Sequence, residues 1–380
     1  MKKKIILITE RRADYTKLKP ILLEIIKSKK LDYRLIVTGS HLSQDHGYTI
    51  SEILKDKIKI HYKFSLISKK FDDSGGEMSR MIGKSIYNIS KILEKEKPDL
   101  VLAGFDIGAN FAASIIAAHM NIPLAHIEGG EKTGTIDEPL RHSISKFSNF
   151  HFTSHLDAKL RLEKMGENKN HIFVVGNTAL DNIKSIEPIS KSILSKKYNI
   201  DFSKKYIIVI LHTVTSEIEQ NILHLKKLIQ VISELNLQSL WIYGNSDAGS
   251  KKIITFLKHS KLNQINSIPH DDYINLLKFS SGLVGNSSSG IIEAPFLKIP
   301  TLNIGTRQNN RLHSYSVIDS NFEKKNLKKA MQKILYDKNF QKNIRKQKNH
   351  YGNGNSAKKI VKILENLNLK NFSTQKIFID

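Results

Sequence analysis

The chain has 380 residues with 40% hydrophobic content, enough to bury more than one core, so two domains are the default expectation. It contains no cysteine, which excludes a disulfide framework, a thiolate nucleophile and a cysteine metal site, and fits a reducing cytoplasm. The formal net charge of +24 invites an anionic partner, but the lysines are scattered (Lys69-Lys70, Lys204-Lys205, Lys251-Lys252, Lys324-Lys325) and read as solvated faces rather than a nucleic-acid surface.

No apolar run approaches the roughly 18 residues that span a bilayer, so no membrane segment is expected. Met1-Lys2-Lys3-Lys4 leads only into Ile5 to Ile8, which reads as a buried first strand and not a signal peptide. Leu18, Ile21, Leu22, Ile25 and Ile26 then form one apolar helix stripe. Strands are predicted at Tyr33 to Val37, Leu100 to Ala103, Pro123 to Ile127, His151 to Thr153 and Ile172 to Val175, with a helix from Ala109 to His119. A polar passage, Asn182 to Ser203, interrupts the alternation. It restarts with strands at Ile207 to Leu211, Ser239 to Tyr243, Gly282 to Val284 and Thr301 to Ile304, and helices near Ile218 to Leu235 and Gly290 to Leu297. Strand–helix alternation of this kind builds parallel sheets. The expected fold class is α/β, with two Rossmann-like, doubly wound domains over residues 1–180 and 181–355. A last helix, Ala357 to Leu367, opens a tail over 356–380 expected to pack back across the domain junction.

Ligands of open α/β sheets sit beyond the carboxyl ends of the strands, so the residues there carry the chemistry. Arg12 and Lys17 follow the first strand and are either anion ligands or ordinary surface bases. Asp106 follows the strand Leu100 to Ala103 and is either a helix cap or a working carboxylate. One strand-end loop then gathers Glu128, Glu131, Asp137, Glu138, Arg141 and His142, a density that solvation alone does not explain. Abstracting a proton beside an anomeric carbon needs carboxylates in a dry cleft, and Asp106, Glu128 and Glu138 are the candidates. Glu131 and Asp137 are read as shaping the loop or pairing with a base. In the second half His212 follows a strand, and Gly285-Asn286-Ser287-Ser288 forms a small-residue turn before a helix. Hydroxyls and free amides at a helix start bind phosphate oxygens, although Ser287 and Ser288 also suit plain capping. Glu293 lies one turn into that helix, in reach of a ribose diol, and Arg307 adds a cation after the next strand.

Taken together, Arg12-Ala13-Asp14-Tyr15, Gly39-Ser40-His41-Leu42, His126 to Glu131, Gly134 to Glu138 with Arg141-His142, Asp247 to Ser250, Gly285 to Ser288 and Gly305 to Gln308 resemble the hydrolysing UDP-N-acetylglucosamine 2-epimerases nearly end to end. The resemblance implies a fold like the B-type glycosyltransferases, with the active site in the interdomain cleft and UDP held by the C-terminal domain. It implies that UDP-N-acetylglucosamine and water give N-acetylmannosamine and UDP through a 2-acetamidoglucal, in nonulosonic (sialic-type) acid biosynthesis. Asp106, Glu128 and Glu138 are implied as acid/base groups, with His212 beside them. Arg12, Lys17, Arg141 and His142 are implied as substrate ligands, Asn286, Ser287 and Ser288 as diphosphate ligands, Glu293 as the ribose ligand and Arg307 as a phosphate neighbour. The segment Ile268 to Tyr273 would border the uracil.

The chain departs from the family's usual pattern at Glu10-Arg11, where a small Gly-Thr turn precedes the arginine, and at Gly104-Phe105-Asp106-Ile107, where His-Gly-Asp-Arg is common. Thr213 and Gly244 stand where prolines are usual. The rival substrate is UDP-N,N′-diacetylbacillosamine, of legionaminic acid biosynthesis. A glycosyltransferase of the same fold is the next alternative, and a basic nucleic-acid-binding protein, resting only on charge, is the alternative of another class. No cofactor is required on this reading, no metal site is assigned and no divalent cation is indicated. The expected partners are a UDP-sugar and further copies of the chain, as a homodimer or homotetramer in the cytoplasm, with neither nucleic acid nor membrane.

Overall fold

Seven short apolar runs pair side by side in the first part of the chain: β1 (Lys3–Thr9), β2 (Leu31–Val37), β3 (Tyr62–Lys63), β4 (Leu100–Gly104), β5 (Leu124–Ile127), β6 (Phe150–Thr153) and β7 (Ile172–Val174). The computed structural model describes residues 2–44, 47–67, 74–105, 108–244, 248–370 and 372–379. Asp106, Ile107, Asn245, Asp247 and the pair Lys69-Lys70 therefore lie outside the described residues. The sheet order is β3-β2-β1-β4-β5-β6-β7, and each neighbouring pair is parallel. From β1 the chain builds outward to β3, then returns to lay β4 on the other side of β1. The strand order reverses there, which opens a crevice beyond the ends of β1 and β4.

Ile5, Leu7, Leu35, Val37, Leu100 and Leu102 point into one core, and Ile6, Ile8, Ile36, Val101 and Ala103 into another. Period-two alternation between two buried faces is why these strands read as unbroken apolar runs. The first core takes Leu18, Ile21, Leu22 and Ile25 from the helix Arg12–Lys27. Each such side chain contributes about 1.5–3 kcal/mol by leaving water. Ile26 does not join them and is 49% exposed. Eight residues overshoot two turns of a 3.6-residue helix, and the step from Leu18 carries Ile26 to the edge of the stripe.

The helix Gly75–Glu96 had no counterpart in the sequence reading. Ser74 caps it by accepting the Glu77 N–H at 3.3 Å, and Ile89 and Leu93 bury its one apolar edge. A second correction concerns the passage after β5, read as a single loop. Asp137–Phe147 is a helix, so Glu138, Arg141 and His142 are helical. Pro139 stands in the first turn, where a missing N–H costs nothing, and Asp137 and Glu138 suit the positive end of the helix dipole.

The chain divides into two units. One comprises Met1–Glu131, Ile136–Lys184 and Tyr351–Asp380, the other Lys132–Thr135 and Ser185–His350. The helix Ser356–Asn366 belongs to the first and buries Ile360, Val361 and Leu364 in the core that holds Leu18 and Ile21. Asp181 accepts the Ser356 and Ala357 N–H groups at its start (3.1 and 2.7 Å), while Lys3 Nζ donates to the Leu364 and Glu365 carbonyls at its end (3.1 and 2.9 Å). An anion at the start and a cation at the end both complement the dipole.

The second unit repeats the plan with β8 (Tyr206–Ile210), β9 (Gln238–Ile242), β10 (Gln264–Ile265), β11 (Leu283–Gly285), β12 (Thr301–Ile304) and β13 (Val317–Ser320). Its order is β10-β9-β8-β11-β12-β13, all parallel, and it reverses between β8 and β11. Trp241, Val284 and Leu302 anchor its core. The expected pair of doubly wound, Rossmann-like sheets is what the chain forms. No helix among the described residues is long and apolar enough to cross a membrane.

Candidate active site

The turn after β1 is folded by one buried carboxylate. Asp14, 2% exposed, accepts the Glu10 N–H at 2.7 Å, the Arg11 N–H at 3.1 Å and the Thr9 hydroxyl at 3.1 Å. Thr9 Oγ1 lies 2.9 Å from His41 Nε2, and His41 Nδ1 lies 2.8 Å from the Thr49 hydroxyl. Burial holds the His41 pKa below its ordinary value against the pull of Asp14, so this chain of contacts is built on a neutral imidazole. The family-like Arg-Ala-Asp-Tyr and Gly-Ser-His-Leu segments are thus two halves of one scaffold. It sets Arg12 at the first position of its helix, with Lys17 further along.

Lys17 reaches the end of β5. Its Nζ lies 2.8 Å from Glu128 Oε2, and Asn177 Nδ2 donates to Glu128 Oε1 at 2.7 Å. Glu128 is buried, and its N–H is tied to the Phe152 carbonyl at 3.0 Å. Its φ of +63° lies in the left-handed region, as does the +67° of Phe105 at the end of β4. Left-handed backbone costs a side-chain-bearing residue about 1–2 kcal/mol, and such strain survives where a site over-determines it. The Lys17 ammonium also stands 5.3 Å from the centre of the Phe105 ring. Lys17 from the helix after β1, with Phe105, Glu128 and Asn177 from the ends of β4, β5 and β7, therefore forms one largely buried cluster. Asn177 was absent from the sequence reading; its only local signal is the Gly-Asn-Thr turn after β7, where its Oδ1 also accepts the Ala179 N–H at 3.0 Å.

Beyond Glu128, Glu131 is buried with its carboxylate 3.2 Å from His155 Nε2, so it does pair with a base. Arg141, 1% exposed, donates to the Glu131 carbonyl at 3.1 Å. Glu138 Oε1 lies 3.8 Å from His142 Nε2, one helical turn away, and the Glu138 side chain keeps 32% of its surface open. Burial first, then the Arg141 charge, keeps the His142 pKa below its ordinary value. His126 lies behind this segment with Nδ1 3.0 Å from the Ser145 hydroxyl and Nε2 without a partner among the described residues. Its burial, reinforced by His151 and Arg141, drives its pKa well down.

In the second unit the ends of β8 and β11 are clamped together. Asn286 Oδ1 accepts the His212 N–H at 2.7 Å, and Asn286 Nδ2 donates to the His212 carbonyl at 2.9 Å. The Asn286 carbonyl accepts from Arg307 Nη1 at 3.2 Å and from Gln308 Nε2 at 2.9 Å. Asn286 thus orients His212 and seats the buried Arg307. Gly285 precedes it with φ +131°, and a Cβ there would overlap the Ile210 carbonyl oxygen, so only glycine fits. Ser287 Oγ accepts the Ser289 N–H at 3.3 Å, whereas Ser288, before the helix Ser289–Phe296, makes no side-chain capping bond. Tyr273 meets the Ser289 hydroxyl at 2.5 Å, and Glu293 Oε1 stands 3.6 Å from His270 Nε2. A half-buried hydroxyl at a helix start is suited to an anion.

A family model described as UDP-N-acetylglucosamine 2-epimerase matches residues 23–365. The chain is 33% identical to a UDP-N,N′-diacetylbacillosamine 2-epimerase (hydrolyzing) of Legionella pneumophila, over 97% of both chains. It is 32% identical to a UDP-N-acetylglucosamine 2-epimerase of Neisseria meningitidis, over 100% of this chain and 99% of the relative. The crystal structure of the Methanocaldococcus jannaschii UDP-GlcNAc 2-epimerase in complex with UDP-GlcNAc and UDP superposes with a TM-score of 0.76 at 25% identity, covering 96% and 99% of the two chains.

Proposed function

The chain belongs to the UDP-N-acetylglucosamine 2-epimerase family, and from that premise we propose that it is a hydrolysing enzyme that releases UDP from a UDP-2-acetamido sugar and inverts the sugar at C2. The observation that carries this reading is the contact of Lys17 with the buried Glu128 and Asn177. An ammonium and an amide hold both oxygens of one carboxylate at a strand end, which is how a proton-transferring group is aimed.

The reaction divides into two balanced steps. In the first, a base takes the C2 proton, the C1–O bond breaks, and UDP departs with the bonding pair as C1=C2 forms. In the second, one acid/base group returns a proton to C2 on the opposite face while water supplies the hydroxyl at C1 and gives its other proton to a second such group. Two acid/base groups facing the ring from opposite sides meet this need, and Asp106, Glu128 and Glu138 are the carboxylates assigned to it. Arg12, Lys17, Arg141 and His142 bear on the sugar diphosphate. Ser287, Ser288 and Arg307 grip its phosphates, Glu293 takes the ribose diol and Asn286 holds His212 in place.

UDP-N-acetylglucosamine is the substrate proposed first, with N-acetylmannosamine the product and a place in nonulosonic acid synthesis. UDP-N,N′-diacetylbacillosamine is the second reading. It is favoured by the Legionella relative's name and by Phe105, an apolar ring at the end of β4 where the family commonly has a small residue. The test is to incubate the protein with each sugar nucleotide in D2O and follow products by NMR. UDP release with deuterium at an inverted C2 is expected. UDP release with C2 unexchanged, or sugar transfer to an added acceptor, would overturn the reading.

A further inference from the structure

Glu10, in the turn after β1, places its carboxylate on a helix 99 residues away: Oε2 accepts the Ala109 N–H at 3.0 Å. Ala109 is the second residue of the helix Gly108–His119. Its N–H is one of the first-turn donors with no acceptor within the helix, and an anion there also meets the positive end of the dipole. The approach depends on Gly39, with φ +58°, where a Cβ would overlap Glu10 Cγ and lie 2.8 Å from the Glu10 carbonyl oxygen. The backbone of Glu10 is pinned on both sides, its N–H by Asp14 at 2.7 Å and its carbonyl by the His41 N–H at 3.3 Å. The scaffold that orients Arg12 therefore also delivers a carboxylate to the start of the neighbouring helix.

That helix is entered directly from Phe105, whose backbone is left-handed, through the two residues Asp106 and Ile107.

We propose that Glu10 is a positioning residue for the reaction: it fastens the first turn of Gly108–His119 to the end of β1, and so anchors the helix that follows Asp106 in the chain. The inference rests on the role assigned to Asp106 above. Neither the charge pattern nor any local motif marks Glu10, because its partner is remote in sequence.

The test compares Glu10→Ala and Glu10→Gln in the full chain. It reads kcat and KM on the preferred sugar nucleotide, UDP affinity by calorimetry, and amide hydrogen exchange in peptides covering 105–115. Misplacing a reacting group by about 1 Å costs about 100-fold in rate, so Glu10→Ala should lose about 10- to 100-fold in kcat. It should keep UDP affinity within about twofold and exchange faster in the first turn of the helix. Glu10→Gln, whose amide oxygen still accepts the Ala109 N–H, should recover kcat to within about fivefold of wild type. Wild-type kcat in Glu10→Ala, unchanged exchange, UDP affinity falling in step with kcat, or a Gln variant as impaired as Ala would each overturn the inference. A wild-type protein inactive on both sugars would instead sink the functional reading and with it the catalytic half of this proposal. The exchange data would still decide whether Glu10 holds the helix.

Discussion

The two sheets reverse strand order in the same way, yet their switch points are furnished differently. In the first unit the ends of the strands gather ionisable groups matched to one another, Lys17 against the buried Glu128 and the buried Glu131 against His155, on backbone that is left-handed at Phe105 and Glu128. In the second, the residue before the clamp is a glycine, Gly285, with positive φ, and the groups beside it are amide, hydroxyl and backbone with a single cation, Arg307, bonded to the Asn286 carbonyl while Asn286 clamps His212. Buried paired charges are costly to assemble and useful for moving protons, whereas neutral donors grip an anion without themselves titrating. On the proposed function, one topology thus supports a unit that transfers protons and a unit that holds phosphate.

The sharpest way to break this contrast is Glu128→Gln. Turnover should fall about 1000-fold or more with UDP affinity held within about threefold, since the lost carboxylate is the proton-transferring group and its partners Lys17 and Asn177 belong to the same unit. Comparable losses in both quantities would erase the division of labour. Lys17→Met comes next: it leaves the buried Glu128 carboxylate with Asn177 as its one side-chain partner among the described residues, and stranding a buried charge costs about 3 kcal/mol, readable as a lowered urea midpoint. An unchanged midpoint would show that the pair contributes nothing to the fold.

In the second unit, Ser288→Ala should weaken UDP binding about tenfold and change kcat at saturation by less than about threefold. A turnover defect at full UDP affinity would move Ser288 to the other side of the comparison. The smallest effect concerns pH. Burial lowers the folded-state pKa of His126, so below about pH 6.5 the unfolded chain binds more protons than the folded one, and stability falls as acid is added. His126→Asn should flatten that fall by about 1.4 kcal/mol per pH unit at most, measured as urea midpoints at pH 7 and 5.5. Parallel slopes in the two proteins would remove His126 from the acid response.

Much of the candidate site was legible because strand ends announce themselves. Glu128 and Asn286 stand directly after β-branched or small-residue strands, and Ser287-Ser288 precedes an apolar helix. The helix Asp137–Phe147 was not legible, since Pro139 and a run of charges imitate a loop unless the first-turn position of the proline is known. Gly75–Glu96 was hidden by a narrow apolar edge among lysines and serines.

By itself the sequence determined the parallel sheets, the stripe of Leu18, Ile21, Leu22 and Ile25, and the clustering of carboxylates after β5, because periodicity and the chemistry of neighbours are local properties. Tertiary structure alone decided that Lys17 meets Glu128 across 111 residues, that Asn177 completes the cluster across 49, and that Glu10 fastens a helix across 99. Those pairings depend on which strands the topology makes adjacent, and strand order is set by packing over the whole sheet rather than by any window of the chain.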